Sequence, residues 1–157
     1  MNLRKATLED IGDIALLSAL KRKQYEKYQP QFHKEAEGAL ELQKDFLRDS
    51  LLRDNVIALV HAGEGSMING FIIGAIVTAP PVYNPGGKVC FVDDFMVSDP
   101  SLWDRVGKTL LDRVLELSKE KGAVLANVVC GPLDGSKKLL LSQYGFNVAT
   151  EWHIKSF

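Results

Sequence analysis

Two adjacent carboxylates, Asp93 and Asp94, lie inside an apolar segment, residues 91–97, whose composition is typical of a β-strand. After a short turn the chain enters an amphipathic segment that contains Gly107 and Lys108 and predicts a helix. Because a helix N-terminus carries free amides and positive dipole, a strand ending there favours binding of an anion. The pattern therefore predicts an anion site beside a reactive carboxylate.

Composition limits which partners such a site serves. The chain has 157 residues, 46% of them hydrophobic, and a net charge of -1, so we expect one compact domain spanning residues 1–157. This charge gives no reason to expect nucleic acid or an acidic membrane as a partner. The expected partner is a small molecule or another protein.

The cysteines, the histidines and the N-terminus predict a cytoplasmic protein without a metal. Cys90 and Cys130 lie in apolar runs without CxxC spacing, which favours reduced thiols over a disulfide or a metal site. His33, His61 and His153 are scattered, so neither a metal site nor a hydrolytic triad is supported. The N-terminus opens on charged residues, and no apolar run approaches the roughly 20 residues of a membrane span.

The elements that position the carboxylates follow from the apolar spacing. Strands are predicted at residues 3–6, 56–62, 70–79, 88–97 and 123–129, with a terminal strand or hairpin at 146–154. Helices are predicted from residue 7 to near Pro30, at 35–54, from about 102 to 121, and at 136–144. This order predicts an α/β (α+β) fold, with a mixed, mostly antiparallel central sheet flanked by helices on both faces.

Three segments resemble the GNAT superfamily of acyl-CoA-dependent N-acetyltransferases. Residues 93–97, two acids followed by Phe-Met-Val, are similar to the fourth strand of that superfamily. Residues 102–111 stand where the superfamily has its R/Q-x-x-G-x-G/A loop and a helix with a Leu-Leu pair, and residues 139–146 match its helix ending in Gly-Phe. The resemblance covers nearly the whole chain.

The resemblance implies acetyl-CoA as acyl donor, with its pantetheine arm held along the fourth strand and its pyrophosphate held by amides of residues 103–108. The implied cofactor-binding residues are Phe95, Met96, Val97, Trp103, Asp104, Arg105, Val106, Gly107, Lys108 and Asp134. The alternative for residues 99–108 is a plain helix start, capped by Asp99 or Ser101, with both basic side chains in water.

Two departures from the superfamily pattern concern cofactor binding and proton transfer. Leu102 replaces the leading Arg or Gln of the loop, Arg105 replaces its first glycine, and Asp104 adds a negative charge. Four residues before Gly145, where the superfamily commonly has a tyrosine that protonates the departing thiolate, this chain has Leu141. No general acid is carried over.

Acetylation needs a neutral amine, yet an alkylamine of pKa about 10.4 is deprotonated in only about one molecule in 2,500 at pH 7. The candidate catalytic residues are Asp93 and Asp94. The resemblance places Asp93 at the acceptor, where it binds the cationic amine and relays its proton through water. Alternation along the strand places Asp93 and Asp94 on opposite faces, and the alternative is that one or both form ion pairs at the sheet edge.

Aromatic residues near Pro30 are candidates for the acceptor site. Tyr25, Tyr28 and Phe32 lie in a connection that lines the acceptor site in this superfamily, and they could form an aromatic wall for an amine cation. Ordinary packing of this connection on the sheet is the alternative. The charges of residues 21–27 are expected to solvate the end of a helix.

The sequence thus predicts an acetyl-CoA-dependent N-acetyltransferase that acetylates a primary amine of a small molecule or peptide by direct attack in a ternary complex. The alternative is a non-catalytic acyl-CoA-binding sensor or a protein-interaction module on the same fold, which Leu102, Arg105 and Leu141 favour. Relatives in the superfamily often pair through their terminal strands, so a homodimer is left open.

Overall fold

The computed structural model describes residues 2–157, and its centre is one five-stranded sheet. The strands are Leu3–Lys5 (β1), Val56–Ala62 (β2), Ile68–Val77 (β3), Lys88–Val97 (β4) and Ala123–Val128 (β5). The strand order in the sheet is β1-β2-β3-β4-β5. Neighbours pair antiparallel except for β4 and β5, which are parallel because a helix connects them.

The helices are Ile11–Tyr28 (α1), Pro30–His33 (α2), Ala39–Leu51 (α3), Lys108–Glu120 (α4) and Gly135–Gln143 (α5). Pro30 begins a new helical turn after α1 ends, in agreement with the prediction that it ends or kinks the first helix. α4 is preceded by a 3-10 turn, Pro100–Leu102, and a five-residue π-helical turn, Trp103–Gly107. α4 ends at Glu120, and Gly122 follows it with a φ of 85°, a conformation that suits glycine.

Helices cover both faces of the sheet, so the predicted fold class is confirmed. α1 packs on β3 and β4, while α4 packs on β2, β3 and β5. Gly70 of β3 lets the α4 side approach closely, because a Cβ atom at this position would lie 2.6 Å from Val106. The core contains fully buried side chains from the sheet and both helical layers, including Ile14, Leu47, Phe71, Val92, Phe95, Leu110 and Val114.

The C-terminal segment differs from the prediction. Residues 146–154 form no strand, and Val148 and Trp152 are 77% and 79% exposed. β5 is therefore the edge of the sheet, which explains why Val124 and Leu125 are exposed although the apolar run predicts a buried strand. No helix within residues 2–157 is long and apolar enough to cross a membrane.

Candidate active site

The candidate site begins where β5 separates from β4. The parallel pairing runs from Lys88 beside Ala123 to Val92 beside Val128, and the Val129 amide donates to the Val92 carbonyl over 2.9 Å. β4 continues for five further residues, and four of them, residues 94–97, pair with β3 on their other side. The separation therefore leaves one edge of β4 open beyond Val92.

An extra residue in β4 changes which groups face this opening. Val92 pairs with Gly74 and Asp94 pairs with Ile73, so Asp93 has no partner residue in β3 and forms a β-bulge. The bulge breaks the strict alternation on which the prediction of one carboxylate on each face depended. It also shifts the hydrogen-bonding pattern of the rest of β4 by one residue.

The backbone of Phe95 and Val97 faces the opening. The Ser98 amide donates to Asn69 over 2.9 Å, so residue 98 faces β3, and alternation turns the polar groups of residues 95 and 97 toward the other edge. The Phe95 carbonyl accepts a hydrogen bond there from the Lys137 ammonium, over 3.3 Å. The opening thus presents main-chain donors and acceptors at strand spacing.

A cleft of about 260 Å³ occupies the opening. α1, the end of β4, the turns before α4 and the start of α5 form its walls. The lining side chains include Lys21, Gln24, Tyr25, Phe95, Met96, Val97, Trp103, Asp134 and Lys137. The structure therefore brings together five of the predicted cofactor residues, Phe95, Met96, Val97, Trp103 and Asp134, with one predicted acceptor residue, Tyr25.

The two aspartates have different surroundings. Asp94 forms an ion pair with Lys21 at 2.6 Å and accepts a hydrogen bond from Ser18 at 2.9 Å, and both partners belong to α1. The side chains of Lys21 and Asp94 are only 15% and 13% exposed, so Lys21 does not solvate a helix end as predicted. The Asp93 side chain is exposed, and its carbonyl accepts from Lys21 over 3.4 Å. Neither carboxylate lines the cleft directly.

Asp134 and Tyr25 form a hydrogen-bonded pair on the wall formed by α1 and α5. The Tyr25 hydroxyl donates to the Asp134 carboxylate over 2.5 Å, and the Gly131 amide donates to the same oxygen over 2.8 Å. Burial and the Asp134 carboxylate raise the pKa of Tyr25 well above its usual value, so Tyr25 keeps its proton at neutral pH. Burial also raises the pKa of Tyr28.

Lys137 is the most unusual residue of the cleft. It is 2% exposed, and its ammonium lies 5.3 Å from the centre of the Phe95 ring and 5.7 Å from that of Trp103. No carboxylate within residues 2–157 forms an ion pair with it. Burial, together with the positive charge of Lys21, lowers the pKa of Lys137 to about 8.

Solved structures share this arrangement of strands and helices, although no profile of a known protein family and no curated protein matches the sequence. A variant of the BH1408 protein from Bacillus halodurans is 15% identical, with a TM-score of 0.85 over 100% of this chain and 99% of that chain. A predicted acetyltransferase with acetyl-CoA from Clostridium acetobutylicum is 20% identical, with a TM-score of 0.73 over 99% and 95% of the two chains. An aminoglycoside antibiotic 6'-N-acetyltransferase from Acinetobacter baumannii is 10% identical, with a TM-score of 0.71 over 99% and 97%.

The chain has the GNAT fold. The resemblance assigns the pyrophosphate to amides of residues 103–108, the C-terminal part of the segment 99–108. Here that segment is a continuous helical run, in which Asp99 accepts hydrogen bonds from the Ser101 amide and hydroxyl over 2.9 and 2.6 Å. The Leu102 amide donates to the Asp99 carbonyl over 3.0 Å. The alternative prediction of an Asp99 cap is therefore confirmed, and two amides of the first turn already have partners.

Of the residues predicted to hold the pyrophosphate, some are buried and others are exposed. Trp103 packs edge-to-face on Phe95, with ring centres 4.8 Å apart, and Val106 is fully buried in the core. Gly107 lies against the indole, because a Cβ atom there would approach Trp103 to 2.7 Å. The side chains of Asp104 and Arg105 are exposed.

Lys108 is exposed as well, and it has hydrogen-bond partners on α4 and at the end of α5. Its ammonium donates to Asp112 over 2.8 Å and to the Tyr144 hydroxyl over 3.0 Å. The hydrogen bond to Asp112 is the main reason that the pKa of Lys108 is raised above its usual value.

The remaining predicted acceptor residues lie outside the cleft. Phe32 is 54% exposed and contacts Trp152 edge-to-face, with ring centres 5.9 Å apart. Tyr28 packs against Tyr25, with ring centres 5.4 Å apart, and its buried hydroxyl has no hydrogen-bond partner in the described part of the chain.

Sequence reasoning missed Lys137, although the sequence contains a signal for it. Lys137 stands three and four residues before Leu140 and Leu141, so all three share the buried stripe of α5. A lysine at an apolar stripe position is uncommon, because burying a charge without a partner is costly. The register of the stripe therefore could have identified Lys137 as a candidate functional residue.

Proposed function

We propose that this protein is an acetyl-CoA-dependent N-acetyltransferase that transfers an acetyl group to a primary amine of a small molecule or peptide by direct attack in a ternary complex. The observation that carries the proposal is the open edge of β4 at Phe95 and Val97, at the strand separation of a GNAT fold. No side chain of this cleft is a thiol or serine activated by a base, which favours direct transfer over a covalent enzyme intermediate.

The open strand edge fits the donor. Pantetheine carries amide groups in an extended arm, and such an arm pairs with a free strand edge as a peptide does. The backbone of Phe95 and Val97 would hold the arm, with Met96, Trp103 and Asp134 beside it. Residues 103–108 would hold the pyrophosphate, where Arg105 and Lys108 add positive charge. The donor supplies an acyl group activated as a thioester.

Asp93 is proposed to accept the proton of the attacking amine through water. Its carboxylate is exposed, whereas the Asp94 carboxylate already has two partners, Lys21 and Ser18. A free carboxylate can bind an ammonium and relay its proton, and a paired one does so less readily. Tyr25, Tyr28 and Phe32 are proposed to form the aromatic side of the acceptor site.

The direct test is release of free thiol from acetyl-CoA in the presence of a panel of small amines and peptides. We expect thiol release with at least one amine and acetylation of that amine by mass spectrometry. Binding of coenzyme A without thiol release for any acceptor would contradict the proposed reaction.

Substitution of the two aspartates tests their separate roles. Asp93→Asn is expected to lower kcat about 10²- to 10⁴-fold, with coenzyme A affinity changed less than about threefold. Asp94→Asn is expected to lower protein stability instead, because it removes the charge that faces Lys21. Unchanged kcat in Asp93→Asn would eliminate this residue as the proton acceptor.

A second candidate function is a non-catalytic acyl-CoA sensor or interaction module. Two observations favour it: Asp99 already bonds two amides of the first turn, and Lys137 already bonds the Phe95 carbonyl. Coenzyme A at 100 times its Kd should stabilise the protein by roughly 2.7 kcal/mol. Stabilisation without turnover favours the sensor, and no stabilisation favours an interaction module.

A homodimer is also proposed. In the C-terminal segment, Phe146, Val148, Trp152 and Ile154 alternate with polar or small residues as in a half-buried strand, yet the segment pairs with no strand within residues 2–157. The free edge of β5 exposes Val124 and Leu125. Two copies could exchange terminal segments as strands. Light scattering should show a dimer that Trp152→Ser weakens, and a monomer at all concentrations would contradict this.

A further inference from the structure

Lys137 occupies the place in the cleft from which a proton could reach the reacting thioester. Leu141 stands where the resemblance expects the tyrosine that protonates the thiolate, and leucine cannot donate a proton. Lys137 lies four residues earlier, on the same buried stripe of α5, so it belongs to the same face of the helix one turn away. Its ammonium reaches the open edge of β4 at Phe95.

We propose that Lys137 is the general acid of the acetyl transfer, and that its ammonium protonates the sulfur of the departing coenzyme A thiol. This inference rests on the proposed function, because it concerns one step of that reaction. Lys137 is assigned this role from the geometry of the cleft. It would replace the tyrosine that the resemblance expects at the position of Leu141.

The hydrogen bonds of Lys137 leave it free to act on a ligand. An ammonium has three N–H donors, and only one acceptor, the Phe95 carbonyl, lies within hydrogen-bond distance among the described residues. The aromatic rings of Phe95 and Trp103 lie on other sides of it. Because a buried donor without an acceptor is unfavourable, a sulfur that gains negative charge in the cleft would complete this site.

The charged groups around Lys137 come from every element that packs against it. Lys21 of α1 disfavours the ammonium, while the carboxylates of Asp94 in β4 and Asp134 before α5 favour it. Burial raises the pKa of the nearby Cys130 thiol, so this thiol is uncharged at neutral pH. Burial is the largest influence on Lys137, and the resulting pKa of about 8 lies near that of a thiol, about 8.5. Proton transfer between groups of similar pKa is close to balanced, which suits a general acid.

Tyr25 is a second candidate proton donor on the wall of the cleft. Its proton is held by the Asp134 carboxylate over 2.5 Å, and its pKa is strongly raised. Release of this proton would leave two negative oxygens together in a buried place. Lys137 is therefore the better donor of the two.

The step balances without an oxidant or a reductant. The neutral amine nitrogen attacks the thioester carbonyl, a C–N bond forms and the C–S bond breaks. The Nζ–H of Lys137 transfers its proton to the sulfur, which leaves as a thiol. The extra proton of the attacking nitrogen passes to water beside Asp93, and solvent reprotonates Lys137.

The test compares Lys137→Met with Lys138→Met, a change at the neighbouring exposed lysine. Methionine is similar in length to lysine and is stable in apolar surroundings, so the Lys137→Met variant should fold. We expect Lys137→Met to lower kcat about 10²- to 10⁴-fold, to change coenzyme A affinity less than about threefold, and to remove the fall of wild-type kcat above about pH 8. Lys138→Met should retain the wild-type rate and pH profile.

A second readout does not depend on turnover. NMR of lysine labelled with ¹³C at Cε should show one resonance that titrates near pH 8 in the wild type, is lost in Lys137→Met and persists in Lys138→Met.

A titration near the ordinary pKa of lysine would overturn the inference. So would a normal kcat in Lys137→Met, an unchanged pH profile, or tighter coenzyme A binding with faster turnover, which would show that Lys137 blocks the cleft. Absence of wild-type turnover would instead overturn the proposed function, and the inference with it.

Discussion

Asp10 and Lys137 are both almost fully buried charged residues, 6% and 2% exposed, but their surroundings differ completely. The Asp10 carboxylate receives two hydrogen bonds from Arg4 at 2.7 Å, one from the Thr7 amide at 2.7 Å and one from the Thr7 hydroxyl at 3.1 Å. Among residues 2–157, Lys137 makes one hydrogen bond and no ion pair. Removing one partner of a fully paired buried charge destabilises a fold, whereas a buried charge that lacks partners is available to a ligand.

The largest effect expected from this comparison is the loss of the Asp10 cluster. Asp10→Ala should lower the free energy of unfolding by about 3 kcal/mol, because it removes a bidentate ion pair and the cap of the turn before α1. Urea denaturation would measure it. Asp13→Ala, at an exposed position of α1, should change stability by less than about 0.5 kcal/mol. Equal effects in the two variants would contradict a structural role for Asp10.

Lys137→Met should change the free energy of unfolding in the opposite direction. Replacing a buried, poorly partnered ammonium with an apolar side chain is expected to raise the free energy of unfolding by about 2 kcal/mol at pH 7. Thermal and urea unfolding beside Lys138→Met would measure the gain. A loss of stability would show that Lys137 holds the fold as Asp10 does, and the contrast between the two residues would fail.

The two charges should also give stability changes in separate pH ranges. The Arg4 hydrogen bond lowers the pKa of Asp10, so its contribution is present above about pH 3.9 and is lost as pH falls through the folded-state pKa. The pKa of Lys137 is lowered to about 8, so between pH 8 and about 10.4 the unfolded state binds more protons. Wild-type stability relative to Lys137→Met should therefore rise by up to about 1.4 kcal/mol per pH unit there. A flat difference would contradict the lowered pKa.

The smallest effect is expected for the ion pair of Lys21 and Asp94. Asp94 accepts fewer hydrogen bonds than Asp10 but, unlike Lys137, it has an ion-pair partner. A double-mutant cycle with Lys21→Met and Asp94→Asn should give a coupling energy of about 1 kcal/mol, because the pair is close and only partly exposed. Chemical denaturation of the four proteins would measure it. The exposed pair Arg48 and Asp45 should give a coupling energy below about 0.5 kcal/mol. A larger value for this pair would show that burial does not set the strength of the coupling.

Local patterns predicted most of the fold. The strands at residues 56–62 and 88–97 have the predicted bounds, and α5 begins and ends within one residue of its prediction. The helix predicted from about residue 102 to 121 corresponds to the turns of residues 100–107 followed by α4. These elements have long apolar stripes or runs and clear ends, such as Gly122 after α4. The Thr7 and Asp10 pair likewise depends on residues three apart, and these two residues form a capping box before α1.

The site was only partly predictable, because its chemistry depends on residues distant in the chain. Lys21 meets Asp94 across 73 positions, and Lys137 meets the Phe95 carbonyl across 42. The bulge at Asp93 arises from the pairing of β4 with β3, which no spacing within β4 reveals. Residues 146–154 alternate as a strand does, yet a strand needs a neighbour and the structure provides none.

The sequence by itself determined the order of helices and strands, the apolar faces that pack into the core and the cap of the first helix, because each depends on neighbours within a few residues. Only the tertiary structure decided where β4 and β5 separate, which of two adjacent aspartates is paired, and that Lys137 is buried beside Phe95 with a single acceptor. Burial and electrostatic environment are set by all the elements that surround a group, so they exist only after the chain has folded.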